Sequence, residues 1–183
     1  MPADVLPFFR YGRDQLDAVR PVLVDVYREV YADEIKADPF FSAEKFEERL
    51  TSQAGLPRWE AVVAYDDDEP AGYVYGAALA PGSAWWKGMI EPLPEEDTSE
   101  SGIRTVAVFE VMVRAQWRGT GLARRIHEEL LTGRREQRAT LLVESDHPKV
   151  KSLYEQWGYR DLGGQRPFPD APLYATMVRD LGH

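Results

Sequence analysis

The sequence predicts an α/β fold with a mixed sheet, on three observations. Residues 106–145 read as strand, loop, helix and strand, a β-α-β unit. Residues 59–65 and 73–79 are strand-like apolar runs joined by a turn-rich acidic connection, as in a hairpin. Residues 14–33 carry Leu16, Val19, Leu23, Val26, Tyr27 and Val30 at helical spacing.

The remaining elements follow in chain order. Residues 7–11 form a short apolar strand ending at Gly12, ahead of the 14–33 helix. Pro39 breaks the helical pattern, and Ser42 opens a second helix that turns Phe46 and Leu50 inward and ends near Gly55. After the hairpin, residues 81–102 hold three prolines, three glycines, Trp85, Trp86 and the acids Glu91, Glu95, Glu96, Asp97 and Glu100. A loop longer than about 15 residues is either functional or disordered, and the sequence leaves both open. A strand at 106–113 leads to a helix at 119–132 that Gly133 ends, then a strand at 139–145. The helix at 148–157 has Pro148 in its first turn, a stripe of Val150, Leu153, Tyr154 and Trp157, and Gly158 just past its end. Two late strands, 159–162 and 173–179, are separated by Gly163-Gly164 and the proline-rich 167–172.

With 183 residues, no repeat and no linker, residues 1–183 read as one domain. A 44% hydrophobic and 11% aromatic content supplies a core. The absence of cysteine excludes a disulfide framework, a thiolate zinc site and a catalytic thiol. The longest uncharged stretch, 70–86, has 17 residues interrupted by glycines and Pro81, short of the roughly 20 a membrane helix needs. Asp4, Arg10, Arg13 and Asp14 do not suit a signal peptide, so a cytoplasmic protein without a membrane partner is expected. A net charge of −9 argues against nucleic acid and for cationic ligands. No metal site is expected: Asp66-Asp67-Asp68-Glu69 lacks the ligand alternation of a calcium loop, and His127 and His183 have no metal spacing.

One segment runs against the acidic average. Gln116-Trp117-Arg118-Gly119-Thr120-Gly121-Leu122-Ala123 joins a strand to a helix whose apolar face is Leu122, Ile126 and Leu130. Closely spaced glycines there expose backbone N–H groups at a helix start, which suits phosphate. Between Arg114 and Arg138, seven arginines face three glutamates, so a polyanion is the expected ligand. A dinucleotide fingerprint would need glycine where Arg124 stands, although Glu144 lies about where a ribose-binding acid would. A P-loop is excluded because no Gly-Lys pair occurs.

The segment resembles the acetyl-CoA loop of the GNAT superfamily of N-acetyltransferases, [Arg/Gln]-x-x-Gly-x-[Gly/Ala], at Gln116, Gly119 and Gly121. The preceding Phe109-Glu110-Val111-Met112-Val113 is similar to that family's fourth strand, and Leu153-Tyr154-Glu155-Gln156-Trp157-Gly158-Tyr159 to its Leu-Tyr-x-x-x-Gly-[Phe/Tyr] signature. The resemblance implies a mostly antiparallel mixed sheet flanked by helices, in the order β-α-α-β-β-β-α-β-α-β-β. It implies acetyl-CoA as cosubstrate and a small-molecule or peptide amine as acceptor, attacking the thioester directly in a ternary complex. A non-catalytic acyl-CoA sensor on the same fold is the alternative, and a homodimer is one of the assemblies left open.

Site roles follow from the same resemblance. Pantetheine would pair with the strand at Val111, Met112 and Val113, and pyrophosphate would rest on the amides of Arg118, Gly119, Thr120, Gly121, Leu122 and Ala123, with Arg124 among the arginines suited to phosphate. Tyr154 matches the general acid that protonates the departing thiolate, unless it is a core tyrosine. Glu110, a charge amid seven apolar residues of one strand, is the general-base candidate, unless it is a rim position or paired with an arginine. His147 stands where the family often has asparagine, to touch pantetheine or simply to cap the helix. Trp85 and Trp86, beside five acids, would wall a cationic acceptor.

Overall fold

A computed structural model describes residues 5–182; Asp4 and His183, used above, lie outside them. The strands are β1 (Phe8–Gly12), β2 (Glu60–Asp66), β3 (Glu69–Ala78), β4 (Thr105–Val113), β5 (Arg138–Glu144), β6 (Arg160–Gln165) and β7 (Tyr174–Asp180). The helices are α1 (Leu16–Val30), α2 (Ala32–Ala37), α3 (Ala43–Ala54), α4 (Glu95–Thr98), α5 (Leu122–Leu131) and α6 (Pro148–Gln156). The seven strands are ordered β1-β2-β3-β4-β5-β7-β6, and β4 with β5 is a parallel pair, registered from Thr105 with Arg138 to Ala107 with Thr140. The mixed, mostly antiparallel sheet expected from the sequence is the one found.

The residues fall into two compact units, with β4 divided between them. In the first, residues 5–77 and 109–134, α1 and α3 cover one face of the sheet. Val19, Leu23 and Tyr27 of α1 and Phe46 and Leu50 of α3 pack with Ala61, Val63, Tyr73, Tyr75 and Met112. Tyr27 stacks on Phe46 at 4.0 Å between ring centroids. Each deeply buried phenol keeps a partner, as a polar group withdrawn from water must: Tyr27 donates to the Phe41 carbonyl at 2.7 Å and Tyr73 to that of Leu23 at 3.1 Å. Helix α5 packs against β2 through its stripe of Leu122, Ile126 and Leu130. Strand β3 is therefore buried almost continuously from Ala71, which explains its unbroken apolar run.

In the second unit, residues 78–108 and 135–182, β5, β7 and β6 pair antiparallel and α6 packs on β5. Three expectations change, on the hairpin turn, on Gly163-Gly164 and on the end of the first helix, and one of the two readings left open for 81–102 is found. Strands β2 and β3 close to a two-residue turn at Asp67 and Asp68, because Asp67 accepts a left-handed φ of 53°. Gly163 and Gly164 lie inside β6 rather than between strands: the ladder skips Leu162, and Gly163, at φ 123°, pairs with Thr176 of β7 just after that bulge. Residues 81–102 are ordered, with a 3₁₀ turn at Trp85–Gly88, helix α4, and Met89 bridged to Gln165. The long 14–33 helix also ends at Val30, where α2 begins a separate turn.

Candidate functional site

The glycine loop of the first unit is built from β4 outward. A 3₁₀ turn at Ala115–Trp117 buries Trp117, and the Thr120 hydroxyl donates to the Trp117 carbonyl at 2.5 Å, closing the loop on itself. Gly119 and Gly121 then take φ of 74° and 83°, left-handed values that cost most residues energy. A Cβ on either would meet nothing within 4 Å, so backbone conformation rather than crowding calls for glycine, and that side of the loop stays open. Gly121 caps α5, and the Arg125 amide closes the first turn on the Gly121 carbonyl at 3.2 Å. The amides at the helix start precede any intrahelical acceptor and are free for an anion. Arg118 departs from expectation: its amide donates to the Ala115 carbonyl at 3.2 Å, leaving its exposed guanidinium to contribute.

The arginine excess is smaller than the sequence suggests. Arg114 is bound to Glu29 and, at 3.3 Å, to Glu69, and Arg125 stacks over Phe8 at 4.9 Å. Arg134 donates to the Arg58 carbonyl at 3.2 Å. Arg118 and Arg124 remain exposed beside the glycines.

On β4, Glu110, Val111 and Val113 are half-buried while Met112 belongs to the core. The surroundings of Glu110 are polar and aromatic. Burial, and after it the negative charge of Glu110, holds the Tyr27 and Tyr75 hydroxyls well above the ordinary phenol range, with Arg49 acting in the opposite sense. Tyr73 is raised likewise, by burial, then Tyr75 and Glu110. These phenols stay protonated through the neutral range. Arg49 also donates to the Phe40 carbonyl at 3.2 Å and stands 4.8 Å over the Phe40 ring. Sequence reading missed Arg49 and this set of tyrosines, because α1, α3, β3 and β4 bring them together across the chain.

In the second unit, Tyr154 is half-buried on α6, a helix with no fully buried residue; Val150 and Leu153 are 40% and 39% exposed. It is not a core tyrosine. Its ring stands edge-on to Trp157 at 5.1 Å and to Tyr159 at 5.9 Å, which fixes its direction without enclosing it. His147 occupies the N-cap of α6, yet its side chain makes no capping hydrogen bond. Its nitrogens lie 3.6 Å from Asp146 and 3.9 Å from Glu144. One ligand atom from each of the three lies within 4.8 Å of the others, an arrangement a divalent cation could use where the sequence reading expects no metal.

Trp86 is buried and already engaged. Its indole N–H donates to Glu100 at 2.9 Å, and the Arg138 guanidinium lies 4.9 Å over its ring. The cation–π face offered to a substrate is thus occupied from within, and Arg138 leaves the count of phosphate-facing arginines. Trp85, half-buried, packs edge-to-face on Trp86 at 6.5 Å. Neither Glu100 nor Arg138 was separable by sequence from its run of like charges.

A strand that turns through two left-handed glycines into a helix start, inside a mixed sheet, defines an α/β protein with an open glycine loop ahead of α5. Among solved structures, an acetyltransferase from Thermus thermophilus is similar at 18% identity and TM-score 0.62, over 99% of this chain and 100% of that one. The PaiA N-acetyltransferase of Thermoplasma acidophilum, solved with coenzyme A, aligns at 13% identity and TM-score 0.55 over 96% and 98%. A phosphinothricin acetyltransferase of Sinorhizobium meliloti, solved with acetyl-CoA, aligns at 17% and 0.59 over 97% and 89%. No curated protein matches the sequence. The model of the acetyltransferase (GNAT) family matches residues 23–159, and the chain belongs to that family. It is therefore an acyltransferase, as the motifs at Gln116 to Gly121 and Leu153 to Tyr159 implied. No described helix is long and apolar enough to cross a membrane.

Proposed function

We propose that the whole chain, 1–183, works as one N-acetyltransferase domain that moves the acetyl group of acetyl-CoA to a primary amine by direct attack. The observation that carries this is the glycine loop: left-handed Gly119 and Gly121 leave the start of α5 open to a diphosphate, directly after a strand whose half-buried Val111 and Val113 suit pantetheine. The β4–β5 ladder ends at Ala107, before those residues. Backbone groups of Gly119, Thr120, Leu122 and Ala123 and the side chains of Arg118 and Arg124 take the phosphates, and His147 contacts the pantetheine arm.

In the reaction the acceptor arrives as an ammonium, and Glu110 accepts its proton through a water. The free amine nitrogen bonds to the thioester carbonyl carbon, the carbon–sulfur bond breaks, the nitrogen gives up its second proton to solvent, and the sulfur takes the Tyr154 hydroxyl proton, which solvent restores. A cationic acceptor agrees with the net charge of −9 and with exposed Glu91, Glu95, Glu96 and Asp97. A cytoplasmic location completes the reading. Retention of Tyr154 in a half-buried position favours an enzyme over a non-catalytic acyl-CoA sensor.

The test is release of free thiol from acetyl-CoA across a panel of amines. Tyr154→Phe should lower turnover by ~10²–10⁴-fold, the usual worth of one general acid, with acetyl-CoA affinity nearly intact. Turnover near wild type in the folded variant removes the acid role of Tyr154, whereas acetyl-CoA binding with no amine turned over favours the sensor.

A further inference from the structure

The second unit carries a cavity of about 280 Å³ that the acetyl-transfer reading does not use. It lies wholly within the 81–102 segment. Its apolar walls are Trp86, Met89, Pro92 and Leu93, and its polar lining includes Ser83 and Lys87. The volume is slightly under the ~300–1,000 Å³ of ordinary small-molecule sites, so an occupant must be small.

Two buried polar anchors hold the walls on either side of Lys87. Trp86 is fixed by Glu100 and Arg138. The Met89 sulfur accepts from Gln165 Nε2 and Thr176 Oγ1, both at 3.3 Å. Between them Gly88 accepts from the Arg166 amide at 2.9 Å, and a Cβ at Gly88 would fall 2.3 Å from the Arg166 carbonyl oxygen. The backbone that carries Lys87 is therefore set before any ligand arrives, which lowers the entropy cost of binding. Lys87 itself makes no ion pair among the described residues, although its segment holds five acids. Glu100 is committed to Arg138, and the other four are exposed and outside the cavity lining.

We propose that this cavity binds a small monocarboxylate with an apolar body. The carboxylate pairs with the Lys87 ammonium, with the Ser83 hydroxyl as a second donor, and the apolar body lies against Trp86, Met89, Pro92 and Leu93. An exposed cation with no ion-pair partner, carried on a fixed backbone beside an apolar floor, selects for that chemistry, since an ammonium ligand meets repulsion and a neutral one gains only the floor.

The experiment compares phenylacetate, phenylacetamide and 2-phenylethylamine by calorimetry and thermal shift on the intact protein. Phenylacetate should bind and raise the melting temperature. Lys87→Met should weaken it about tenfold or more, the worth of one charge-assisted hydrogen bond, while Lys87→Arg keeps binding and Leu93→Trp blocks it by filling the cavity. Phenylalanine then distinguishes two sources of the carboxylate. If it is the acceptor's own tail, phenylalanine is acetylated and Lys87→Met raises KM with kcat unchanged. If it is a separate ligand, phenylacetate binds without competing with the preferred amine. The proposal is overturned if the amide binds as tightly as the acid, if the amine binds instead and Leu93→Trp abolishes that binding, if Lys87→Met keeps full affinity, or if phenylacetate does not bind. Any of those results leaves thiol release from acetyl-CoA, and with it the acetyl-transfer reading, untouched.

Discussion

Arg138→Met removes one half of a buried ion pair and isolates the other. The Glu100 side chain is 1% exposed and that of Arg138 10%, with 3.1 Å between Nη2 and Oε2. The same Oε2 accepts from Trp86 and from Thr105 at 2.9 Å, while Oε1 has no hydrogen-bond partner. Arg138 also donates to Thr105 at 2.8 Å and to the Asp97 carbonyl at 2.7 Å. Burial pulls the Arg138 guanidinium below its ordinary value, and the neighbouring Arg104 adds to this against the attraction of Glu100 and Asp97. The intact pair therefore contributes little net stability, but a lone buried Glu100 carboxylate is costly. Breaking such a pair from one side costs about 3–5 kcal/mol. For a chain of this size each kcal/mol is roughly 2–4 °C, so the melting temperature should fall by about 6–20 °C. Adding Glu100→Gln keeps an acceptor for Trp86 and Thr105 while removing the charge, and should recover about half of the loss. Calorimetry measures both variants, and limited proteolysis reports whether residues 81–102 loosen first. A single variant losing less than about 1 kcal/mol, or a double variant as unstable as the two losses summed, would refute the reasoning.

Three further outcomes are expected. Saturating acetyl-CoA at 100 times its dissociation constant should stabilise the wild type by about 2.7 kcal/mol, and Gly121→Glu, which puts a charged side chain at φ 83° on the open side of the loop, should abolish that shift in a thermal melt. Glu110→Gln should depress acetyl transfer most at low pH, where deprotonating the ammonium limits the rate, and recover partly as pH rises; a uniform loss across a pH–rate profile would remove the base role. Burial pushes the Asp161 carboxyl up, but hydrogen bonds from Lys151 at 2.7 Å and the Gly163 amide at 2.8 Å outweigh it and leave it below its ordinary value. That stability is present above the unfolded carboxylate pKa near ~3.9 and is lost as pH falls through the folded value. Because both side chains are about one-third exposed, Asp161→Asn should cost under about 1 kcal/mol at neutral pH and flatten the acid limb of a stability–pH curve.

The sequence by itself determined what depends on local periodicity and backbone chemistry. The helical stripe from Leu16 to Val30, the capping Ser42 of α3, the left-handed glycines at 119, 121, 133 and 158, and the family motifs around Gly119 and Tyr154 were all legible, because each is specified within a few residues. Tertiary structure decided everything that depends on partners distant along the chain. Ladder bonds from β7 kept Gly163 and Gly164 in a strand despite their turn-forming character. Glu100 and Arg138, far apart in sequence and each inside a run of like charge, became one buried pair that ordered the 81–102 segment and took Trp86 out of solvent. The same pairing explains why counting arginines overstated the phosphate site. Formal charge is additive along a sequence, whereas a charge acts at a site only if folding leaves it without a nearer partner. Folding brought Glu110 beside three buried tyrosines and left Lys87 alone above an apolar cavity, and neither placement has a signature in residue order.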